Sequence, residues 1–310
     1  MSVRAAEILL ITILGVRATA YLFSKLLLVD MGPFTLLAVR FLLAFGLLAV
    51  LFGRRLRDLD RTTLRHGAVL GALFFATMAA EMGALTLTAS STVSFLENTA
   101  IVFVPLFEAV LARRLPTGRA VAATAGVMVG VALVTLGSGG AGFGAGEVLA
   151  LVAALFYAAV IMYTARVSRT DDATTLGVLQ VGFIGVFSLV ASLALEQPCL
   201  PATGEQWGYL AVLVLVCTGF GFTLQPVAQR HVSSQRAGLL LAVAPLVAGI
   251  LGVVVLGKPC GLGTVAGMAL IIGGILFSGN SSTDEHAEDA RVVQTAPQPA
   301  EGPGRLHPRA

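Results

Sequence analysis

Ten apolar runs dominate the chain and leave little between them. They cover roughly 7–27, 33–52, 66–86, 92–112, 118–137, 147–165, 174–195, 207–226, 236–256 and 261–279. Each has about the 17–25 residues that an α-helix needs to cross the hydrocarbon core of a bilayer. Hydrocarbon offers the backbone no hydrogen-bond partner, so only helices and closed barrels span it. Barrel strands alternate lipid-facing and lumen-facing residues over about ten positions, whereas these runs are continuously apolar. A water-soluble fold is excluded on related grounds. Only 12% of the residues are charged, about half of what a soluble domain carries, and the mean hydropathy is +0.89. The chain reads as an all-α polytopic membrane protein of ten transmembrane helices.

The remaining charges are sorted by loop. The stretches after the second, fourth, sixth and eighth runs hold twelve basic residues: Arg54, Arg55, Arg57, Arg61, Arg65, Arg113, Arg114, Arg119, Arg166, Arg169, Arg230 and Arg236. The alternate set holds Lys25 and Lys258. Cytoplasmic loops retain Lys and Arg, so the asymmetry places both termini in the cytoplasm of a multi-pass cell-membrane protein. The basic character therefore reports topology and not nucleic-acid binding. Ile8–Val16 followed by Ala18-Thr-Ala20 has the form of a cleavable signal. Arg17 interrupts it, however, and apolar sequence continues to Val29, so the segment reads as the first helix. Cys199, Cys217 and Cys260 form no CxxC pair and no His/Cys cluster accompanies them, so no disulfide scaffold, metal site or cofactor is implied. From Asn280 the composition turns polar and Pro-containing, too poor in apolar residues to offset ordering. Residues 280–310 are expected to form a disordered cytoplasmic tail.

A repeat underlies the ten runs. Arg114–Ala132 aligns over Lys258–Leu276 at an offset of 144 positions, with a basic break before an apolar, Gly-rich helix in both. The chain divides accordingly into 1–137 and 138–279, five helices each. Five is odd, so the two halves are inserted upside down relative to one another. Inverted repeats of this kind are typical of secondary transporters, which hold substrate near the bilayer midplane between the halves and alternate access by rocking.

Particular residues add a family resemblance. In the first half these are Phe34-Thr-Leu-Leu-Ala-Val-Arg40-Phe-Leu-Leu-Ala, Ser91-Thr-Val-Ser-Phe-Leu-Glu-Asn-Thr-Ala-Ile-Val-Phe-Val-Pro105-Leu-Phe-Glu and Leu111-Ala-Arg-Arg-Leu-Pro116. In the second half they are Leu224-Gln-Pro-Val-Ala-Gln-Arg-His-Val-Ser-Ser-Gln-Arg-Ala, Ala244-Pro245-Leu-Val-Ala and Leu256-Gly-Lys-Pro259. Over residues 7 to 279 the chain resembles the drug/metabolite transporter superfamily, in particular its ten-helix EamA-type members. The resemblance implies two inverted five-helix repeats and transport of small molecules. It fails at one place: the family usually has Glu at the ends of helices 4 and 9, where this chain has Arg113 or Arg114 and Lys258, so any role of that Glu does not transfer.

Away from their ends the runs hold five charges: Arg17, Arg40, Glu81, Glu97 and Glu108. A charge at the centre of a membrane helix costs at least about 2.5–3.5 kcal/mol on insertion scales and needs a partner or a function. Arg17 falls near the midplane, alone, with water and helix carbonyls as its expected partners and an anionic substrate group as its expected ligand. Arg40, Glu81 and Glu97 share a layer nearer the outside. They form either a fixed salt bridge that pins helices 2, 3 and 4 or a proton-carrying pair, since two carboxylates in one dry layer do not both ionise freely. Glu108 lies near the inner end, where snorkelling is cheap. Asn98 and Tyr157 offer hydrogen bonds to substrate or between helices, and Gln225 and Gln229 lie toward the inner interface. Pro105 and Pro245 are expected to interrupt helices 4 and 9, and Gly126, Gly130, Gly267, Gly273 and Gly274 to be close-packing positions. Trp207 and Tyr209 are expected to anchor the outer interface.

The leading reading is a secondary transporter that exports small metabolites by alternating access, with proton coupling. The substrate would carry an anionic group, the bilayer is the surrounding partner, and a homodimer is compatible with such a chain. The competing class is a membrane-embedded enzyme acting on a lipid-linked substrate. Against it, the loops are short and His66 and His231 are isolated. No GxxxxGK[ST] phosphate loop occurs, so nothing suggests an ATP-driven pump.

Overall fold

A computed structural model of the chain describes residues 1–57, 59–88, 90–113, 117–135, 144–247, 262–263 and 265–277. Arg114, Lys258, Cys260 and the expected tail at 280–310 lie outside the described residues. Every regular element among the described residues is helical. The first half comprises α1 (Val3–Ala18), α2 (Ala20–Leu27), α3 (Pro33–Arg57), α4 (Arg61–Leu87), α5 (Ser90–Glu97), α6 (Ala100–Ala112) and α7 (Gly118–Thr135). The second comprises α8 (Ala145–Val167), α9 (Ala173–Leu195), α10 (Gly204–Val212), a π-helical segment Leu213–Phe220, α11 (Gly221–Gln229) and α12 (Ser234–Leu240). Seven spans are long and apolar enough to cross a membrane. Three shorter apolar helices among the described residues, Ala120–Leu133, Ser234–Val247 and Val265–Phe277, fall on the fifth, ninth and tenth apolar runs.

Helix starts follow local chemistry. The Asp60 carboxylate accepts from the backbone N–H groups of Thr62 and Thr63 at 3.2 Å, Asp172 accepts from the N–H of Thr175 at 3.2 Å, and Thr203 with Gln206 forms a capping box at α10. Each satisfies donors that the first turn leaves unpaired. The lateral surface is apolar: Val50 is 83% and Val110 73% exposed, as side chains facing lipid should be and side chains facing water would not.

The closest packing joins the two halves. α3 lies along α9, and α4 lies along α8 and α9. α8 packs on α4 and α6 of the first half much as α1 packs on α11 and α12 of the second, which is the exchange that two inverted repeats require. Small residues make the approach possible. A Cβ at Gly71 would come within 2.3 Å of the Phe183 Cβ, and one at Gly177 within 2.3 Å of the Thr223 carbonyl oxygen. At Gly130 a Cβ would meet the Gly267 carbonyl at 2.7 Å, and at Gly274 it would meet Val127 at 2.5 Å. Gly126 and Gly273 have no such neighbour within 4 Å, so close packing accounts for only part of that set.

The α3–α9 pair is tied at both ends. At one end the Glu196 carboxylate accepts from the N–H groups of Phe34 at 2.9 Å and Thr35 at 2.7 Å, and from the Thr35 hydroxyl at 2.7 Å. It thus supplies α3 with the anion its N-terminus favours. At the other end Arg55 pairs with Asp172 at 3.1 Å, and on α4 His66 pairs with Asp171 at 2.7 Å.

Candidate functional site: a polar cavity at three helix irregularities

Three crossings lose regular α-helical form at one level of the bundle. The first is divided at Thr19, the fourth at Asn98–Thr99, and the eighth widens into the π-helical segment. The two divisions share a device: the Thr19 hydroxyl donates to the Val16 carbonyl at 2.8 Å, and the Thr99 hydroxyl to the Leu96 carbonyl at 2.5 Å. Such back-bonding competes with the helical ladder and bends it. Pro105 sits inside α6 without ending it, so the interruption of the fourth crossing falls at Asn98–Thr99 and not at the proline. The first and eighth crossings meet at their irregularities, where the Cys217 Sγ lies 3.6 Å from the Thr19 Oγ1 and 3.8 Å from the Val16 oxygen. Broken crossings mark substrate sites in repeat-built transporters, and π turns recur at functional sites.

A cavity opens there, with about 510 Å³ of atom-free space including the part open to solvent. Its lining includes Arg17, Arg40, Glu81, Glu97, Asn98 and Tyr157, the six residues that the sequence offers for substrate binding or for the buried charge network, together with Tyr21, Met78, Phe222 and Leu241. Residues from both halves of the chain therefore share one chamber. Glu108 is half-buried and lies outside this lining.

Arg17 is not alone. Its Nη1 donates to the Tyr157 hydroxyl at 3.0 Å and to the Gln225 Oε1 at 2.6 Å, and its guanidinium carbon lies 4.2 Å from the Phe222 ring centroid. The expectation of water and helix carbonyls as partners is thus corrected. The guanidinium is planar and weakly hydrated, so neutral acceptors and an aromatic face hold it without cancelling its charge. Gln225 is correspondingly interior, 1% exposed, and not interfacial. Its neighbourhood is built by Pro226, which has no N–H for the Phe222 carbonyl four residues earlier. The Gln180 Nε2 donates to that carbonyl instead, at 2.6 Å.

The expected Arg40–Glu81–Glu97 salt bridge does not form. Among the described residues no ion pair within 4.0 Å links these three; the pairs that do form are Arg55–Asp172, His66–Asp171 and Arg236–Glu7. Arg40 Nε donates to the Thr218 Oγ1 of the π-helical segment at 2.7 Å, so it joins the second crossing to the eighth and not to the third and fourth. Glu97 accepts a hydrogen bond from the Tyr21 hydroxyl. Glu81 lines the cavity within electrostatic reach of Glu97, Arg17 and Arg40. Asn98 donates to the Ser94 carbonyl at 2.6 Å, which caps the end of α5, while its buried Oδ1 has no partner.

Tyr21, Gln225 and Phe222 were the residues that sequence reading did not assign to the site. Tyr21 lies four positions after Arg17, on the same helix face, so a search at helical spacing from each intramembrane charge would have found it; the eighth run contains no charge, and no such search reaches Phe222 and Gln225. The result is a chamber with two guanidiniums and two carboxylates, none paired with another, and an aromatic wall. Such a chamber can accept an anionic group and can take up a proton. Among the described residues no group of three or more His, Cys, Asp or Glu side chains suited to a metal ion occurs.

Two inverted five-helix repeats around a polar chamber define a multi-pass membrane protein of the transporter class. The chain belongs to the EamA-like transporter family, whose model matches residues 5–136 and again residues 144–279. One solved structure, described only as the crystal structure of a protein, is similar in fold. It shares 19% identity with a TM-score of 0.73, over 89% of this chain and 96% of its own. No curated protein matches the chain.

Proposed function

We propose that the protein is a secondary active transporter that exports small metabolites bearing an anionic group, coupled to proton movement through alternating access of the central chamber. The observation that carries this reading is the chamber's composition. Arg17 rests on neutral supports with no ion pair in contact, so it has attraction left for a carboxylate or phosphate, while Glu81 and Glu97 line the same space. Two carboxylates in one chamber supply groups that can carry a proton. A membrane-embedded enzyme would need its reactive groups within reach of the lipid surface, whereas these groups line the bundle interior. The twelve-to-two distribution of Arg and Lys among the loops supports cytoplasmic termini in a cell membrane.

The test is uptake of anionic metabolites into inverted membrane vesicles, with and without an imposed pH gradient. Accumulation that requires both the gradient and Arg17 supports the reading. Equal uptake with the gradient collapsed removes proton coupling, and indifference to the substrate's negative charge removes the anionic class.

A further inference from the structure

The first crossing carries two functional side chains on opposite sides of its break. Arg17 lies on α1, before Thr19, and Tyr21 lies on α2, after it. Both pieces touch the π-helical segment, but their other neighbours differ: α1 packs mainly on α11 and α12, and α2 on α10, α5 and α4. The Thr19 side chain contacts the Val16 carbonyl and the Cys217 thiol, and its own carbonyl accepts from the N–H groups of Leu22 at 3.2 Å and Phe23 at 3.4 Å. The piece after the break therefore has its own attachment, and the attachment that reaches the chamber is the hydrogen bond from Tyr21 to Glu97.

We propose that Tyr21 is the positioning residue through which protonation of Glu97 moves α2 relative to Arg17. With Glu97 ionised, the Tyr21 hydroxyl donates to a carboxylate, a charge-assisted bond about twice as strong as a neutral one. When Glu97 takes a proton from chamber water, Tyr21 keeps its own proton and the bond becomes neutral. The strut between the first and fourth crossings weakens, and α2 pivots at Thr19 while α1 keeps Arg17 on Gln225 and Phe222. The same event thus couples the proton site to the geometry of the anion site. Of the other charged or titratable groups around Glu97, Arg17 acts on it only through space, its hydrogen bonds going to Tyr157 and Gln225. Lys25, one turn further along α2, donates to the carbonyls of Leu85 and Thr88. Glu147 of α8 accepts from the Thr88 hydroxyl at 2.7 Å and the Gly144 N–H at 2.8 Å. Tyr157 of α8 is held by Arg17. Glu81 of α4 lines the chamber beside Glu97, and α7 has no titratable residue after Arg119.

This inference rests on the proton-coupled reading, and the experiment separates the two. Spin labels are placed at Leu26 on α2 and Leu193 on α9, both exposed, in the full chain with its native cysteines replaced, reconstituted in lipid. The inter-label distance is followed from acid to alkaline pH, with thermal stability measured alongside. The expected result is a pH-dependent distance in the parent protein that is lost in both Glu97→Gln and Tyr21→Phe, each held at the acid distance. A Tyr21→Phe profile that titrates like the parent, while Glu97→Gln does not, overturns the strut and leaves proton coupling standing. A parent distance that does not respond to pH overturns both. If Tyr21→Phe does not fold, Glu97→Gln decides, since an alkaline-like distance in that variant contradicts release by protonation.

Discussion

The guanidinium of Arg17 stacks on the ring of Phe222 at 4.2 Å, although the two residues come from opposite halves of the chain. That contact, with the bonds to Tyr157 and Gln225, ties the first crossing to the sixth and eighth at the level of the cavity. Arg17 consequently serves the fold as well as any ligand.

Arg17→Ala should abolish transport and also lower the melting temperature. A desolvated cation–π contact is worth about 2 kcal/mol, and hydrogen bonds to a charged group about 1.5–3 kcal/mol each. Arg17→Lys keeps the charge but loses the planar fork, so it should raise the apparent KM more than it lowers stability. Uptake kinetics and melting curves on purified, reconstituted variants check both; an Arg17→Ala protein as stable as the parent would show the stacking and hydrogen bonds to be dispensable.

The two carboxylates of the cavity should behave differently. Glu81 has no contact ion pair among the described residues, so Glu81→Gln removes a buried charge without stranding a partner. Its thermal stability should equal or exceed that of the parent, while pH-driven transport is abolished. Glu97→Gln replaces the charge-assisted bond from Tyr21 with a neutral one and should be destabilised by about 1 kcal/mol, the difference between the two. Melting temperatures of the two variants, measured side by side, test the contrast.

Asp172 gives a pH signature at the end of the bundle away from Glu196. Burial pushes its carboxyl up, but hydrogen bonds from Thr175 and Arg55 outweigh that and hold it below the usual carboxylate range. A group depressed in the folded state contributes stability above its unfolded pKa and loses it as pH falls through the folded value. The parent should therefore exceed Asp172→Asn in stability at neutral pH, by about 1 kcal/mol or less for so exposed a pair. The difference should vanish in acid. Melting curves across an acid-to-neutral series check the direction.

Orientation is tested with Cys199, which is exposed in the stretch between α9 and α10. With the other cysteines replaced, an impermeant thiol reagent should label it from outside intact cells. A cysteine placed at Arg57 should react only after the membrane is opened. Labelling of the Arg57 position in intact cells reverses the topology.

Sequence alone determined which segments leave water, because transfer into hydrocarbon is nearly a sum over local residues and each run carries its own total. It likewise identified the charges that must justify their burial, whereas the helix starts at Asp60 and Asp172 were read from the structure. Only the tertiary structure decided what those charges touch. Arg40 was expected on Glu81 and Glu97 because all three share a depth, yet it bonds to Thr218; depth along a helix is local, whereas rotation about the helix axis and the choice of neighbour are set by packing of the whole bundle. The break at Thr19 was hidden for the same reason. Its dihedrals, φ −69° and ψ −20°, lie within the ordinary helical region, with no proline or glycine to mark the place, and the Cys217 thiol beside it arrives from the other half of the chain.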